Sequence, residues 1–284
     1  LGLGIARACA ARGMKLALAD IQASELDRIT REMQKEGSDI LALTIDVADV
    51  DNMEWLAHRV YQRFGEVNYL FNNAGVLGKT SMLDAMLKDW EWIMGVNMWG
   101  VIHGIRAFVP RMMEGGKEGR VINIAGEAGY LSGPGLGIYR MTKHAVAALS
   151  ESLHHELTII GSNIKVSVVS PAFIKTSIME SEKTRPARLQ NIARLSMDNP
   201  VEEAILRNFT EQVNNGPEPE AIAELIWAGI DSQKFYIFAP SLSEDLITRK
   251  AIQSRFDAII AEDTPVNSLT ASEIANLTGL DITR

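Results

Sequence analysis

The chain has 284 residues, with 28 Lys and Arg against 36 Asp and Glu, for a formal net charge of −8. That length suits one large α/β domain or two small ones, with an ample core, and 46% hydrophobic with 23% charged residues is far from a disordered or collagen-like composition. The acidic balance argues against a nucleic-acid partner, which needs clustered Lys and Arg to neutralise phosphates. The single cysteine, Cys9, excludes an intrachain disulfide and fits a reducing, cytoplasmic setting, and apolar runs of strand length predict no membrane span and no signal peptide.

The sequence opens on Leu1-Gly2-Leu3-Gly4-Ile5-Ala6, the back half of a glycine-rich turn leading into a helix at about Ile5–Arg12. A turn of this kind normally follows a buried central strand, so about a dozen further N-terminal residues are expected in the working protein; the alternative is a terminal helix with incidental glycines. Strand candidates then follow at Lys15–Asp20, Ile40–Asp46, Val67–Asn72, Arg120–Ala125, Ile164–Ser170 and Phe235–Ala239. Helical candidates lie between them at Ser24–Glu36, Asn52–Phe64, Asp89–Met113 and Tyr139–Ile160. Alternation of this kind implies right-handed βαβ crossovers. The predicted fold class is α/β, a doubly wound parallel sheet flanked by helices on both faces, in one domain. Residues 173–219 contain helical patches and the breakers Pro186, Pro200, Gly216 and Pro217, and read as an excursion above the sheet. Beyond residue 240 a C-terminal helical tail of the same domain runs through Ile260, with a last helix opening near Thr270–Glu273.

The Gly2-x-Gly4 pair would let backbone approach a pyrophosphate at the positive end of the following helix. Asp20, sixteen residues beyond Gly4 and at the end of the next strand candidate, would accept both hydroxyls of an adenosine ribose and repel a 2′-phosphate. A turn or N-cap role for Asp20 is the compatible alternative. No basic residue follows it directly in Ile21-Gln22-Ala23, so NAD is preferred and NADP is not excluded.

Further motifs follow in a fixed order. Asp46-Val47 ends a strand candidate, Asn72-Asn73-Ala74-Gly75 follows the next, and Asn97 lies in Val96-Asn97-Met98-Trp99-Gly100. Tyr139-Arg140-Met141-Thr142-Lys143 and Pro171-Ala172-Phe173-Ile174-Lys175-Thr176 come later. In this order and spacing, from residue 1 to about Ala239, the chain resembles the short-chain dehydrogenase/reductase superfamily, with its Rossmann-like fold. The resemblance implies that Asp46 and Val47 contact adenine, that Asn73, Ala74 and Gly75 border the adenine ribose, and that Pro171, Ile174 and Thr176 hold the nicotinamide carboxamide. Ala172 stands where glycine is commoner in that segment. It further implies Asn97, Tyr139 and Lys143 as the catalytic set, and a homodimer or homotetramer packed through the helices that carry Asn97 and Tyr139.

Tyr139 and Lys143 are four residues apart, so one helix face presents both to a shared ligand. A phenol with a reference pKa near ~10 is too weak an acid for easy proton exchange at neutral pH, and a neighbouring ammonium is expected to lower it. Tyr139 would then exchange a proton with the alcohol or carbonyl oxygen while Lys143 tunes it and holds ribose; Asn97 would hold a water linking Lys143 to solvent. The family's serine, thirteen residues before the tyrosine, is replaced by Gly126. Loss of one such donor costs on the order of 10²–10³ in rate, so the expectation is a slowed oxidoreductase acting on a small secondary alcohol or ketone. Ser132, Tyr130 or an ordered water are the candidates to replace the hydroxyl, and on this view Gly126→Ser should raise turnover. The alternative is a catalytically silent nucleotide-binding protein serving as sensor or assembly partner.

Other residues have plainer readings. Glu127 is expected to be a loop-surface carboxylate, Cys9 a small apolar group packed on the sheet, and Trp90, Trp92 and Trp99 core or subunit packing. Met179 and Met197 would line an apolar pocket or pack between helices. Adjacent imidazoles in His154-His155-Glu156 point about 100° apart on a helix and do not suit one metal ion.

Overall fold

A computed structural model describes residues 1–191, 200–240 and 244–265, with the side chains of 200–202 left aside; the expected helix near 270–273 and Met197 lie outside these described residues. The strands are β1 (Leu16–Asp20), β2 (Ile40–Thr44), β3 (Tyr69–Asn72), β4 (Gly119–Ile124), β5 (Ile164–Pro171) and β6 (Tyr236–Ala239). The α-helices are α1 (Gly2–Ala11), α2 (Ala23–Lys35), α3 (Val50–Phe64), α4 (Leu87–Met94), α5 (Gly100–Glu114), α6 (Gly137–Ile159), α7 (Pro200–Asn214), α8 (Pro219–Asp231) and α9 (Leu246–Ile260). Every strand pair is parallel, with registers such as Leu16 opposite Ile40 and Val121 opposite Val166.

The expected single sheet is found as two. β1 pairs with β2, and the other four strands run in the order β3-β4-β5-β6. Among the described residues no ladder joins β1 to β3; residues of both strands instead border one large cavity. Successive residues of a strand point to opposite faces, and this alternation distributes the core. Ile122, Ile124 and Val169 pack with Ile5 and Cys9 of α1 and with Ile226 and Trp227 of α8. Val121 and Val166 face the other way, onto Leu56 and Val60 of α3 and Phe108 and Met112 of α5. Helices therefore cover both faces of the four-stranded sheet.

The long helix expected over 89–113 is interrupted. Between α4 and α5 a π-helical turn, Gly95–Trp99, inserts one wider turn into a continuous helical path. It brings the side chain of Asn97 to complete burial. Such turns recur at functional sites because the extra residue re-aims its neighbours.

The excursion at 173–219 forms two 3₁₀ segments, Ser177–Thr184 and Ala187–Leu189, followed by α7. It is pinned to α4 by a buried ion pair, Arg185 Nη1 to Asp89 Oδ1 at 2.7 Å, and Asn191 Nδ2 donates to the same oxygen at 2.9 Å. No helix among the described residues is long and apolar enough to cross a membrane.

Candidate active site

The first two turns of α6 carry Tyr139 and Lys143 along the wall of a cavity of about 1500 Å³. Lys143 is buried, and its Nζ donates to the Ile124 carbonyl at the end of β4 at 2.8 Å. Nζ also lies 5.6 Å from the centre of the Tyr139 ring. The ammonium has three donors, and both side chains border the cavity. Asn97 is spent differently: Oδ1 accepts from the Val76 amide at 2.8 Å, while Nδ2 donates to the Val76 carbonyl at 2.9 Å and to Thr142 Oγ1 at 3.2 Å. Both amide hydrogens are thus used to fix the chain after β3 against α6. That makes the Asn97 side chain a clamp in this structure, and leaves one lone pair of Oδ1 for the water expected from the sequence. Gly75 sits between the two groups. A Cβ there would lie 3.5 Å from Asn97 Oδ1 and 3.6 Å from Lys143 Nζ, so its absence keeps a recess open directly over the lysine.

Burial, not the ammonium, dominates the phenol. The surrounding protein pushes Tyr139 up to about 12, with the nearby Arg140 guanidinium pulling in the other direction. Lys143 is lowered to about 8 by the same loss of hydration. For the tyrosine this direction is opposite to the expected one, because the cost of burying a phenolate outweighs the pull of the neighbouring guanidinium. Tyr139 is only half-buried and opens on the cavity, so solvent or a positively charged ligand there would move it back down.

Gly126 is not a simple vacancy. Its backbone has φ 74° and ψ 172°, a region essentially reserved for glycine. Its amide donates to the Val169 carbonyl at 3.1 Å and its carbonyl accepts from the Gly129 amide at 3.0 Å. A serine would have to adopt that conformation to place its hydroxyl. Neither expected substitute serves: Ser132 is exposed, Tyr130 packs its ring on Phe238 and Tyr236, and neither borders the cavity. The Ser and Thr residues that do border it, among the described residues, are Thr176, Ser177, Ser181, Thr184 and Thr248.

Glu127 departs from the surface role expected for it. It is half-buried on the cavity wall, and desolvation, with Asp245 close by, raises its carboxyl to about 7 against the opposing hydrogen bond from Thr248. The Asp245-x-x-Thr248 cap of α9 was the available signal in the sequence; its contact with position 127 spans 121 residues and no local pattern reports it.

The nucleotide candidates assemble on the same cavity, with one exception. Gly2, Asp20, Asp46, Val47, Asn73, Ala74, Gly75, Pro171, Ile174 and Thr176 all border it. Asp20 lies exposed at the end of β1, where its Oδ1 accepts from the Gln22 amide at 2.8 Å, so the turn role and a free second oxygen coexist. Asp46 Oδ1 likewise accepts from the Ala48 amide at 2.9 Å. Thr176 caps the 3₁₀ segment after β5. Gly4 is the exception. It is buried where a Cβ would come within 2.7 Å of the Pro219 carbonyl oxygen, so its missing side chain serves the close packing of α1 on α8. Cys9 is buried beside Trp227, with burial raising its thiol to about 11, and Trp92 is in the core while Trp99 is exposed. Met179 is both core and cavity wall. Among the described residues no group of three or more His, Cys, Asp and Glu is placed to hold a metal.

A dinucleotide fits this donor set on three observations: the open recess over Gly75, the N–H groups of the first turn of α1, which have no intrahelical acceptor, and the free carboxylate oxygen at Asp20. Comparison with known proteins agrees. A short chain dehydrogenase family model matches residues 1–187. A short-chain dehydrogenase/reductase from Burkholderia phymatum, solved in complex with NAD, superposes with a TM-score of 0.88 at 32% identity, over 95% of this chain and 93% of that one. The C alpha-dehydrogenase of Sphingobium sp. is 30% identical over 94% of this chain and 84% of that protein. The CLA biosynthesis dehydrogenase/reductase of Lactiplantibacillus plantarum is 26% identical over 93% of this chain and 91% of that protein.

The chain belongs to the short-chain dehydrogenase/reductase family. It is an oxidoreductase of the class that acts on alcohol- and ketone-type groups.

Proposed function

We propose that the protein interconverts a secondary alcohol and a ketone with NAD as the preferred coenzyme. The observation that carries this reading is the convergence of the Tyr139 ring and the Lys143 ammonium on the open recess at Gly75, in one cavity with Asp20. The dehydrogenase names of the Sphingobium and Lactiplantibacillus relatives, and the NAD in the Burkholderia structure, support the same class. When bound, the nicotinamide supplies hydride transfer. Tyr139 gives its hydroxyl proton to the forming alkoxide oxygen, or takes it from the alcohol in the reverse direction. Lys143, anchored on Ile124, stabilises the phenolate and offers further donors to ribose hydroxyls. Asn97 positions the Gly75–Val76 backbone beneath them. Asp20 holds the adenosine ribose, and Val47, Ile174 and Thr176 contribute at the two ends of the coenzyme. With glycine at 126 the reacting oxygen has no serine hydroxyl, and the reaction is slower for it. The exposed Trp99 and the shallow groove formed by Ile105, Val109, Pro110 and Met113 of α5 favour assembly of copies through this helix.

The test follows nicotinamide absorbance with NAD and a panel of secondary alcohols. Tyr139→Phe should cut turnover by about 10²–10⁴-fold, the usual share of general acid–base catalysis, while NAD still binds. Turnover indifferent to Tyr139→Phe would overturn the assignment. Tight NAD binding with no turnover on any substrate would favour the silent-binder alternative that Gly126 suggests.

A further inference from the structure

The hydroxyl of Thr248, on the first turn of α9, lies between two carboxylates. Its Oγ1 is 2.6 Å from Asp245 Oδ2 and 2.8 Å from Glu127 Oε1. Thr248 is buried, at 6% exposure, so water does not separate these groups. A hydroxyl has one hydrogen. If both carboxylates were ionised, one of the two contacts would oppose lone pair to lone pair in a desolvated place. The arrangement is therefore satisfied when one of the two carboxyls keeps a proton, so that two hydrogens serve the three groups.

We propose that Glu127, Thr248 and Asp245 form a one-proton latch that seats the N-terminal turn of α9 as a wall of the active-site cavity, and that removing the proton releases this turn. The placement gives the latch its consequence. Glu127 follows Gly126 directly, and Glu127, Asp245, Ile247, Thr248 and Ala251 border the cavity that Tyr139 also borders. Asp245 is at the same time the N-cap of α9, its Oδ1 accepting from the amides of Ile247 at 3.1 Å and Thr248 at 3.0 Å. Latch and helix start are thus one hydrogen-bonded unit.

The charges around it assign the proton. Desolvation alone would raise Asp245, but bonds from Thr248, the Ile247 amide and Glu127 bring it below the ordinary carboxylate range. Glu127, desolvated and facing that anion, is raised from 4.5 to about 7, with Arg140 on α6 pulling it down. One turn along α6, burial lowers His144 below its ordinary value, with Arg255 of α9 adding to the effect. A carboxyl whose value is raised in the closed state favours closure below its open-state value and loses that preference as pH rises towards the closed-state value. Closure is therefore strongest near pH 4.5, weakens through about pH 7 and is level above it. The inference concerns this chain's own residues and does not depend on the substrate.

Backbone hydrogen exchange of the full chain between pH 5 and 9, corrected for the intrinsic pH dependence of exchange, tests it, with α6 as internal reference. Protection of the first turns of α9 should fall by up to on the order of a hundredfold over this range, relative to α6. Glu127→Gln, whose amide donates to Thr248 at every pH, should keep α9 protected and make the profile flat. Thr248→Val should leave it weakly protected throughout. A wild-type profile that is flat, one that falls in α6 by the same factor, or a Glu127→Gln profile that retains the wild-type fall would each overturn the latch.

Discussion

A Cβ at position 126 would find space, since the nearest atoms are the Pro171 carbonyl oxygen at 3.7 Å and the Ala128 amide nitrogen at 4.0 Å. The obstacle is the backbone: φ is 74° with ψ near the extended value, which costs a residue other than glycine about 1–3 kcal/mol. Gly126→Ser and Gly126→Ala should therefore both lose about 1–3 kcal/mol of stability, and the serine variant should not exceed the wild type in turnover. Thermal melts and nicotinamide absorbance check this. A serine variant as stable as the wild type and faster would mean that the segment re-forms at negative φ with the hydroxyl in place. That Tyr139 and Lys143 share a helix face was legible from their spacing of four, whereas Asn97 stood out only through the family resemblance. The phenol's direction of shift was not legible, since it depends on how dry the finished wall is. Glu127 was misread for a related reason: its burial comes from α9, more than a hundred residues along the chain.

Elements were legible where periodicity is local. The apolar runs of β1 to β6 lie within a residue or two of their expected positions, because a strand buried on both faces needs a continuous apolar segment. The break at Gly95–Trp99 escaped notice because a π turn uses the same residue types as the helix around it. At Gly4 the lack of a side chain also admits a neighbouring helix, a packing role that the glycine-rich pattern alone does not reveal. The excursion was recognised only as an excursion; its anchor, Asp89 with Arg185, pairs two residues 96 apart. Arg185 also stacks on Trp92 at 4.8 Å, and Asp89 Oδ2 accepts from the Met86 amide at 2.8 Å at the start of α4. Removing one member of a buried pair strands the other charge, at a cost of about 3–5 kcal/mol. Arg185→Met should lose about that much in urea denaturation, and adding Asp89→Asn should recover part of it, since the unpaired anion is then gone. A single variant near wild-type stability would mean that the carboxylate finds solvent and the segment is not held by this pair.

At the scale of the whole molecule, the two parallel sheets border a common cavity, with Asp20 and Val47 on the side of β1 and β2 and Lys143, Ile174 and Thr176 on the side of β4 and β5. On the proposed reading a dinucleotide contacts both sides, so it should stabilise the fold as a unit. At a hundredfold excess over its Kd a ligand specific to the native state adds about 2.7 kcal/mol. For a protein of this length that is roughly 4–5 °C in Tm. On the same proposed reading the exposed carboxylate of Asp20 would distinguish the coenzymes, because a 2′-phosphate beside it would meet like charge where NAD offers hydroxyls that can donate. At equal concentration NAD should therefore raise the melting temperature by several degrees and NADP by much less. Asp20→Ala should bring the two shifts together, mainly by weakening NAD and relieving the repulsion on NADP. Raised salt should narrow the gap as well, since repulsion at an exposed site is screened while hydrogen bonds to the ribose are not. Equal shifts from NAD and NADP in the wild type would remove Asp20 from the coenzyme site and leave it as the turn residue that its bond to the Gln22 amide already makes it.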